Sequence, residues 1–110
     1  MKVAAFVLAL SSLFPSLGLA AQIYGTLRES DRPVEANVPV AVVCGNSSYP
    51  VKTDGYGSYK LHAKEQGKCT LTVTFRGQTP KTTIESFNDP AHYDFDLIRQ
   101  PDGLYHLQRR

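Results

Sequence analysis

The residues in this chain best suited to chemistry fall into three groups. His92, Asp94, Asp96 and His106 lie close to the C-terminus and are the only cluster of side chains that could ligate a metal. Cys44 and Cys69 could form a disulfide, a redox dithiol or half of a metal site. Tyr24, Tyr49 and Tyr56 could stack against a flat ligand, and Asp54-Gly55-Tyr56-Gly57 has the composition of a ligand loop or of a tight turn. Which chemistry is open to them depends on the compartment the chain reaches and on the elements that hold them.

The N-terminus bears on the first. Lys2 precedes an unbroken apolar run from Val3 to Leu10, and small residues follow at Gly18 and Ala20. This is the layout of a secretory signal peptide cleaved after Ala20. The run is shorter than the roughly 20 residues needed to span a bilayer. Removal of residues 1–20 leaves 90 residues, 21–110, enough for one small domain. The expected destination is the periplasm or the cell exterior, with no integral membrane segment left after cleavage.

The exported part carries 11 Lys plus Arg against 10 Asp plus Glu. A balance this close to neutral gives no electrostatic footprint for nucleic acid. Two cysteines in an oxidising compartment favour a Cys44–Cys69 disulfide over a metal pair or a redox dithiol, since there is no CxxC spacing. Such a bond is worth ~3–4 kcal/mol on the loop-entropy model.

Alternating apolar and polar residues fill the exported part, and no segment has a helical period. Candidate strands are Gln22–Leu27, "VPVAVVCG", "SYPVK", "GSYKLHA", "CTLTVTFRG", "KTTIESF", "HYDFDLIR" and "GLYHLQR". Pro50 places the third at a sheet edge, where its missing N–H does no harm. Cys44 shares parity with Val40 and Val42, and Cys69 with Leu71, Val73 and Phe75, so both sulfurs are expected in the core. The fold class expected is all-β: a seven- to eight-stranded antiparallel Greek-key β-sandwich.

The last two strands are expected to form a hairpin with its turn centred on Pro101. That register sets Leu97 opposite Tyr105 and Phe95 opposite Leu107. Its outer face then sets Asp96 against His106 and Asp94 against Gln108, with His92 nearby. Two readings fit this cluster: a solvated strand face with one charge pair, worth at most ~1 kcal/mol, or a metal site. An exposed flat sheet is a poor source of a closed coordination sphere, so no metal and no cofactor are expected. Asn46-Ser47-Ser48 is a formal glycosylation sequon and is read as a turn.

"IYGTL", "VPVAVVC", "TDGYGSYKL" and "GKCTLTVTFRG", in that order over residues 23–77, resemble the carboxypeptidase regulatory-like domain, with its transthyretin-like (prealbumin-like) sandwich. Gly25 matches the family's strand-one glycine. Thr53, Asp54, Gly57 and Tyr59 match its T-D-x-x-G-x-Y/F element, and Gly67, Leu71 and Val73 its next strand, with Cys69 where an aromatic is usual. The resemblance implies an accessory module rather than a catalyst. Hydroxyisourate hydrolases share the fold but end in Tyr-Arg-Gly-Ser, whereas this chain ends "YHLQRR". Nor is there a G-x-S-x-G elbow. The expected function is a non-enzymatic exported module that binds or braces an envelope or extracellular protein. The alternatives are a carbohydrate-binding module using Tyr24, Tyr49 or Tyr56, and, further off, a hydrolase of the hydroxyisourate type. Asp54 to Gly57 is then the bend that introduces a core-facing strand, not a catalytic loop.

Overall fold

Apolar side chains at every second position, broken by Gly, Pro and Asp turns, give ten strands in the computed structural model, which describes residues 21–110. The signal-peptide reading of residues 1–20 lies outside the described residues. The strands are β1 (Ala21–Glu29), β2 (Arg32–Pro33), β3 (Pro39–Cys44), β4 (Ser47–Lys52), β5 (Ser58–Ala63), β6 (Gly67–Val73), β7 (Lys81–Ser86), β8 (Ala91–His92), β9 (Phe95–Arg99) and β10 (Tyr105–Arg109).

They form two sheets packed as a sandwich. The first runs β10-β9-β1-β2, with β5 and β8 also paired to β1, and the second runs β4-β3-β6-β7. Between them lie Ile23, Leu27, Val40, Val42, Leu61 and Leu71, each at most 4% exposed. These are the parities expected from the alternation, and β4 is the edge strand that Pro50 requires.

Cys44 and Cys69 are joined across adjacent strands of one sheet. The β3–β6 register sets Val43 opposite Thr70. One further step brings the cysteines face to face, with Cα atoms 4.5 Å apart. That is the spacing of a non-hydrogen-bonded antiparallel pair, so the sulfurs meet inside the core without bending either strand. Asn46 lies in the exposed turn between β3 and β4.

Three details differ from the expected hairpin sandwich. The strands number ten rather than seven or eight, because the short β2 pairs with β1 at Arg28–Pro33 and Glu29–Arg32, and because one expected strand is split in two. The segment "HYDFDLIR" is not continuous: it breaks at Tyr93-Asp94 into β8 and β9, and both pair with β1 in parallel. Alternation sets which face a side chain takes and leaves strand direction open, so it could not foresee a parallel pairing between distant segments.

The β9–β10 register is also displaced by two residues. Leu97 faces Leu107, Phe95 faces Arg109, Tyr105 faces Arg99, Asp96 faces Gln108, and His106 faces Ile98. The cause is the turn. Gln100 O accepts from the Gly103 amide at 2.8 Å, and the Gln100 amide donates to Leu104 O at 2.8 Å. The bend is therefore centred on Asp102, whose Oδ1 takes the Leu104 amide at 3.0 Å. Pro101 occupies the position where its fixed φ suits a type I turn, and Gly103 follows at φ +89°. A shift of two keeps parity, so Tyr105 still points inward.

The loop leading into β5 is tied to the core by one hydroxyl. Thr53, 3% exposed, donates from Oγ1 to Glu35 O at 2.7 Å and accepts from the Val38 amide at 3.0 Å. Two backbone groups of the 34–38 loop are thereby satisfied away from water.

Candidate functional site

The outer face of the first sheet carries the most developed surface feature. Tyr24 on β1 lies beside Lys60 on β5 and beside His92 on β8, so the three form one row across three strands. Thr26 and Ser58 form the next row. Above them is an open groove of about 580 Å³, lined by Tyr24, Thr26, Lys52, Asp54, Lys60 and His92. Its volume is within the range of small-ligand sites, roughly 300–1,000 Å³.

The acidic side of this region is organised around Asp94. The backbone leaves the ladder between β8 and β9, and the carboxylate takes its place. Asp94 Oδ1 accepts from the Thr26 amide at 2.8 Å and from the Thr26 hydroxyl at 3.0 Å. It lies 2.9 Å from His92 Nε2. Burial works against the charged carboxylate, but the Thr26 amide, the Thr26 hydroxyl and His92 outweigh it and hold Asp94 below its usual range. His92 in turn stacks on Tyr24, with centroids 4.7 Å apart and planes within 5°.

The C-terminal arginines are anchored beside the same segment. Arg110 Nη2 donates to Thr26 Oγ1 at 2.7 Å, and its Nε is 3.0 Å from Asp96. Arg28 Nε approaches the same Asp96 oxygen at 3.6 Å. Arg109 covers the Tyr93 ring at 4.5 Å and donates to His92 O at 3.2 Å.

The structure therefore distributes the sequence candidates among several places. Asp94 and His92 come together, but Asp96 is paired with arginines and His106 faces Ile98 across the register shift. Among the described residues no group of three or more His, Cys, Asp or Glu is placed to hold a metal ion. Tyr24 lines the groove. Tyr56 is 80% exposed at the tip of the Asp54–Ser58 turn, outside the groove lining.

Tyr49 is not a free stacker. It packs partly buried against the core, donates its hydroxyl to the Glu65 carboxylate and accepts from the Lys64 amide at 3.2 Å. Ser47, at 2.6 Å, and then Tyr49 hold Glu65 below the usual carboxylate range. Alternation alone could not foresee this, because Glu65 arrives from the β5–β6 loop.

The "TDGYGSY" stretch is engaged in the fold throughout. Asp54 Oδ1 takes the Tyr56 and Ser58 amides, each at 2.9 Å, in an Asx-type turn. Gly57 has φ +74°, and a Cβ there would meet Leu27 O at 2.6 Å. Only glycine meets both demands. Tyr59 sends its hydroxyl through the core to Tyr93 O at 2.7 Å, linking β5 to the segment between β8 and β9.

Burial first, and then the charges of Asp94 and Tyr93, push the Tyr59 phenol well above its ordinary value. A raised acid favours its neutral form in the fold. The stabilisation is complete below the unfolded tyrosine value of about 10 and is lost as pH rises beyond it. Tyr59→Phe should cost about 1–3 kcal/mol at neutral pH, because Tyr93 O loses its donor. It should also flatten the loss of stability above pH ~10. Denaturant titrations across that window give the answer, and an unchanged alkaline slope in the variant refutes the assignment.

Lys52, Lys60, Thr26 and Arg110 were not singled out by the sequence as site residues. The parity of Lys60 and of Thr26 marks each as outward-facing. Nothing in the sequence says that β5, β1 and β8 lie side by side.

No family model matches this chain, and no curated protein matches it. Among solved structures it is similar to the Bacillus anthracis TIE protein, with TM-score 0.59 and 12% identity. That alignment covers 80% of this chain but only 16% of the TIE protein. It is also similar to a protein from Eubacterium rectale solved by NMR, with TM-score 0.56 and 10% identity. Here the coverage is 83% of this chain and 88% of the other. Likenesses at these identities show a common all-β sandwich fold.

Proposed function

We propose that this chain is an exported, non-enzymatic β-sandwich module of the carboxypeptidase regulatory-like kind, which binds or braces an envelope or extracellular protein. The observation that carries this reading is how the reactive groups are occupied. Asp94, Thr26, Thr53 and Tyr59 each hold one segment of backbone or side chain to another, and the cysteines are paired in the core. A disulfide favours an oxidising compartment, and among the described residues no helix is long and apolar enough to cross a membrane.

The protein recovered from producing cells should begin at Ala21 by mass spectrometry, with both cysteines closed to alkylation until reduced. Retention of residues 1–20 together with free thiols in the cytosol counts against export. For the binding role, a photo-crosslinking residue at Lys60 should trap a discrete partner that one at Thr72, on the outer face of the second sheet, does not. Equal trapping at both positions counts against a dedicated face.

A second reading, carbohydrate binding, is favoured by one observation: Tyr24 lines an open polar groove of ligand size. Aromatic side chains that combine an apolar face with a polar tip suit contact surfaces of that kind.

A further inference from the structure

We propose that the Tyr24 groove takes an acidic saccharide, with the free face of Tyr24 stacking on a sugar ring and Lys60 and Lys52 pairing with its anionic groups. This rests on the carbohydrate-binding reading and names the class of glycan.

The geometry of the aromatic pair is the starting point. The 4.7 Å between the Tyr24 and His92 centroids is the spacing of neighbouring strands. The two rings are parallel within 5° and sit on adjacent strands, so they stack side by side across the sheet. His92 covers one face of Tyr24, while Lys60 is the neighbour of Tyr24 on the opposite strand and all three line the groove. The stack is held from behind, since His92 bonds to Asp94, and Asp94 to the Thr26 amide and hydroxyl. A wall held this way is ordered before a ligand arrives, so less entropy is lost on binding.

Charge selects the ligand. Asp94 and Asp96 already have cationic or hydrogen-bonding partners in His92, Thr26, Arg28 and Arg110. Asp54 uses one oxygen to cap its own turn. Lys52 and Lys60 line the groove, and among the described residues neither is in an ion pair. An aromatic wall flanked by two uncommitted ammonium groups matches a ring that carries carboxylate or sulfate. A neutral sugar would leave both charges unused. A purely anionic peptide would leave the ring unused.

Calorimetric titration at physiological ionic strength tests this with three hexasaccharides. Hexagalacturonate carries carboxylate alone, a heparin hexasaccharide adds sulfate, and maltohexaose is neutral. At least one acidic probe should bind saturably, about tenfold or more tighter than maltohexaose. The preferred acidic probe tells carboxylate from sulfate recognition. Tyr24→Ala and Lys60→Gln should each weaken that binding by about tenfold, while Tyr56→Ala, outside the groove, should leave it unchanged. Denaturation midpoints of the variants separate lost contact from lost fold.

Equal affinity for maltohexaose, abolished by Tyr24→Ala and untouched by Lys60→Gln, overturns the acidic class and leaves carbohydrate binding standing. Acidic binding indifferent to Tyr24→Ala overturns the stacking site. No binding of any of the three overturns both this proposal and the carbohydrate reading.

Discussion

Gly25→Val should be the most damaging single substitution in the protein, with a loss of about 4 kcal/mol or more and a chain that fails to fold at moderate temperature. A Cβ at this position would lie 1.8 Å from Tyr93 O and 2.5 Å from Tyr93 C. Both are backbone atoms, so no rotamer change relieves the clash. The Tyr93 peptide must move away from β1, and several contacts move with it. The Tyr93 amide donates to Tyr24 O at 2.8 Å, and its carbonyl accepts the buried Tyr59 hydroxyl. Next in the chain, Asp94 holds the Thr26 amide. The substitution thus opens the join between β1 and β8 and strands several polar groups in a buried place. Alanine brings the same Cβ and should be nearly as harmful. Denaturant titration of Gly25→Ala checks the expectation, and a loss below about 1 kcal/mol would mean that the segment relaxes freely.

The second large effect is expected at the disulfide. Replacing Cys44 and Cys69 together by alanine should lower stability by ~3–4 kcal/mol, as expected for opening a loop with a sequence separation of 25. A small domain has only about 5–15 kcal/mol in all, so the reduced form should sit near the edge of folding at elevated temperature. The loss should come largely through the unfolded chain. β3 and β6 already pair through Val40–Val73 to Val43–Thr70, and those contacts survive without the sulfurs. Guanidinium unfolding of the oxidised, reduced and doubly substituted protein compares the three. Identical midpoints would refute a structural role for the bond.

How much was legible in the sequence is seen best at particular residues. Cys44, Cys69, Tyr59, Leu61, Leu71 and Val73 all face the core as their alternation requires, because a pleated strand offers only two directions. Pro50 falls on an edge strand because a central one would need its missing amide. The turn character of Asp54 to Gly57 was written in residue types that admit positive φ and local side-chain bonds.

The hairpin register was not legible to the same degree. Parity allows shifts of two, and hydrogen bonding around Asp102 chose between the registers. That choice separated His106 from Asp96 and dispersed the cluster that looked most like a metal site.

Alternation, turn chemistry and the cysteine pair determined that this chain is an all-β sandwich with its two sulfurs inside, since each is a local property of the backbone or of adjacent residues. Tertiary structure alone decided the rest. It paired β8 and β9 with β1 in parallel, placed Asp94 as a substitute for a ladder carbonyl, and pinned Arg110 to Thr26. It also brought Lys60, Tyr24 and His92 into one row. These contacts join residues 36 to 84 positions apart in the chain. Their formation is governed by how distant strands dock, and no local pattern records that.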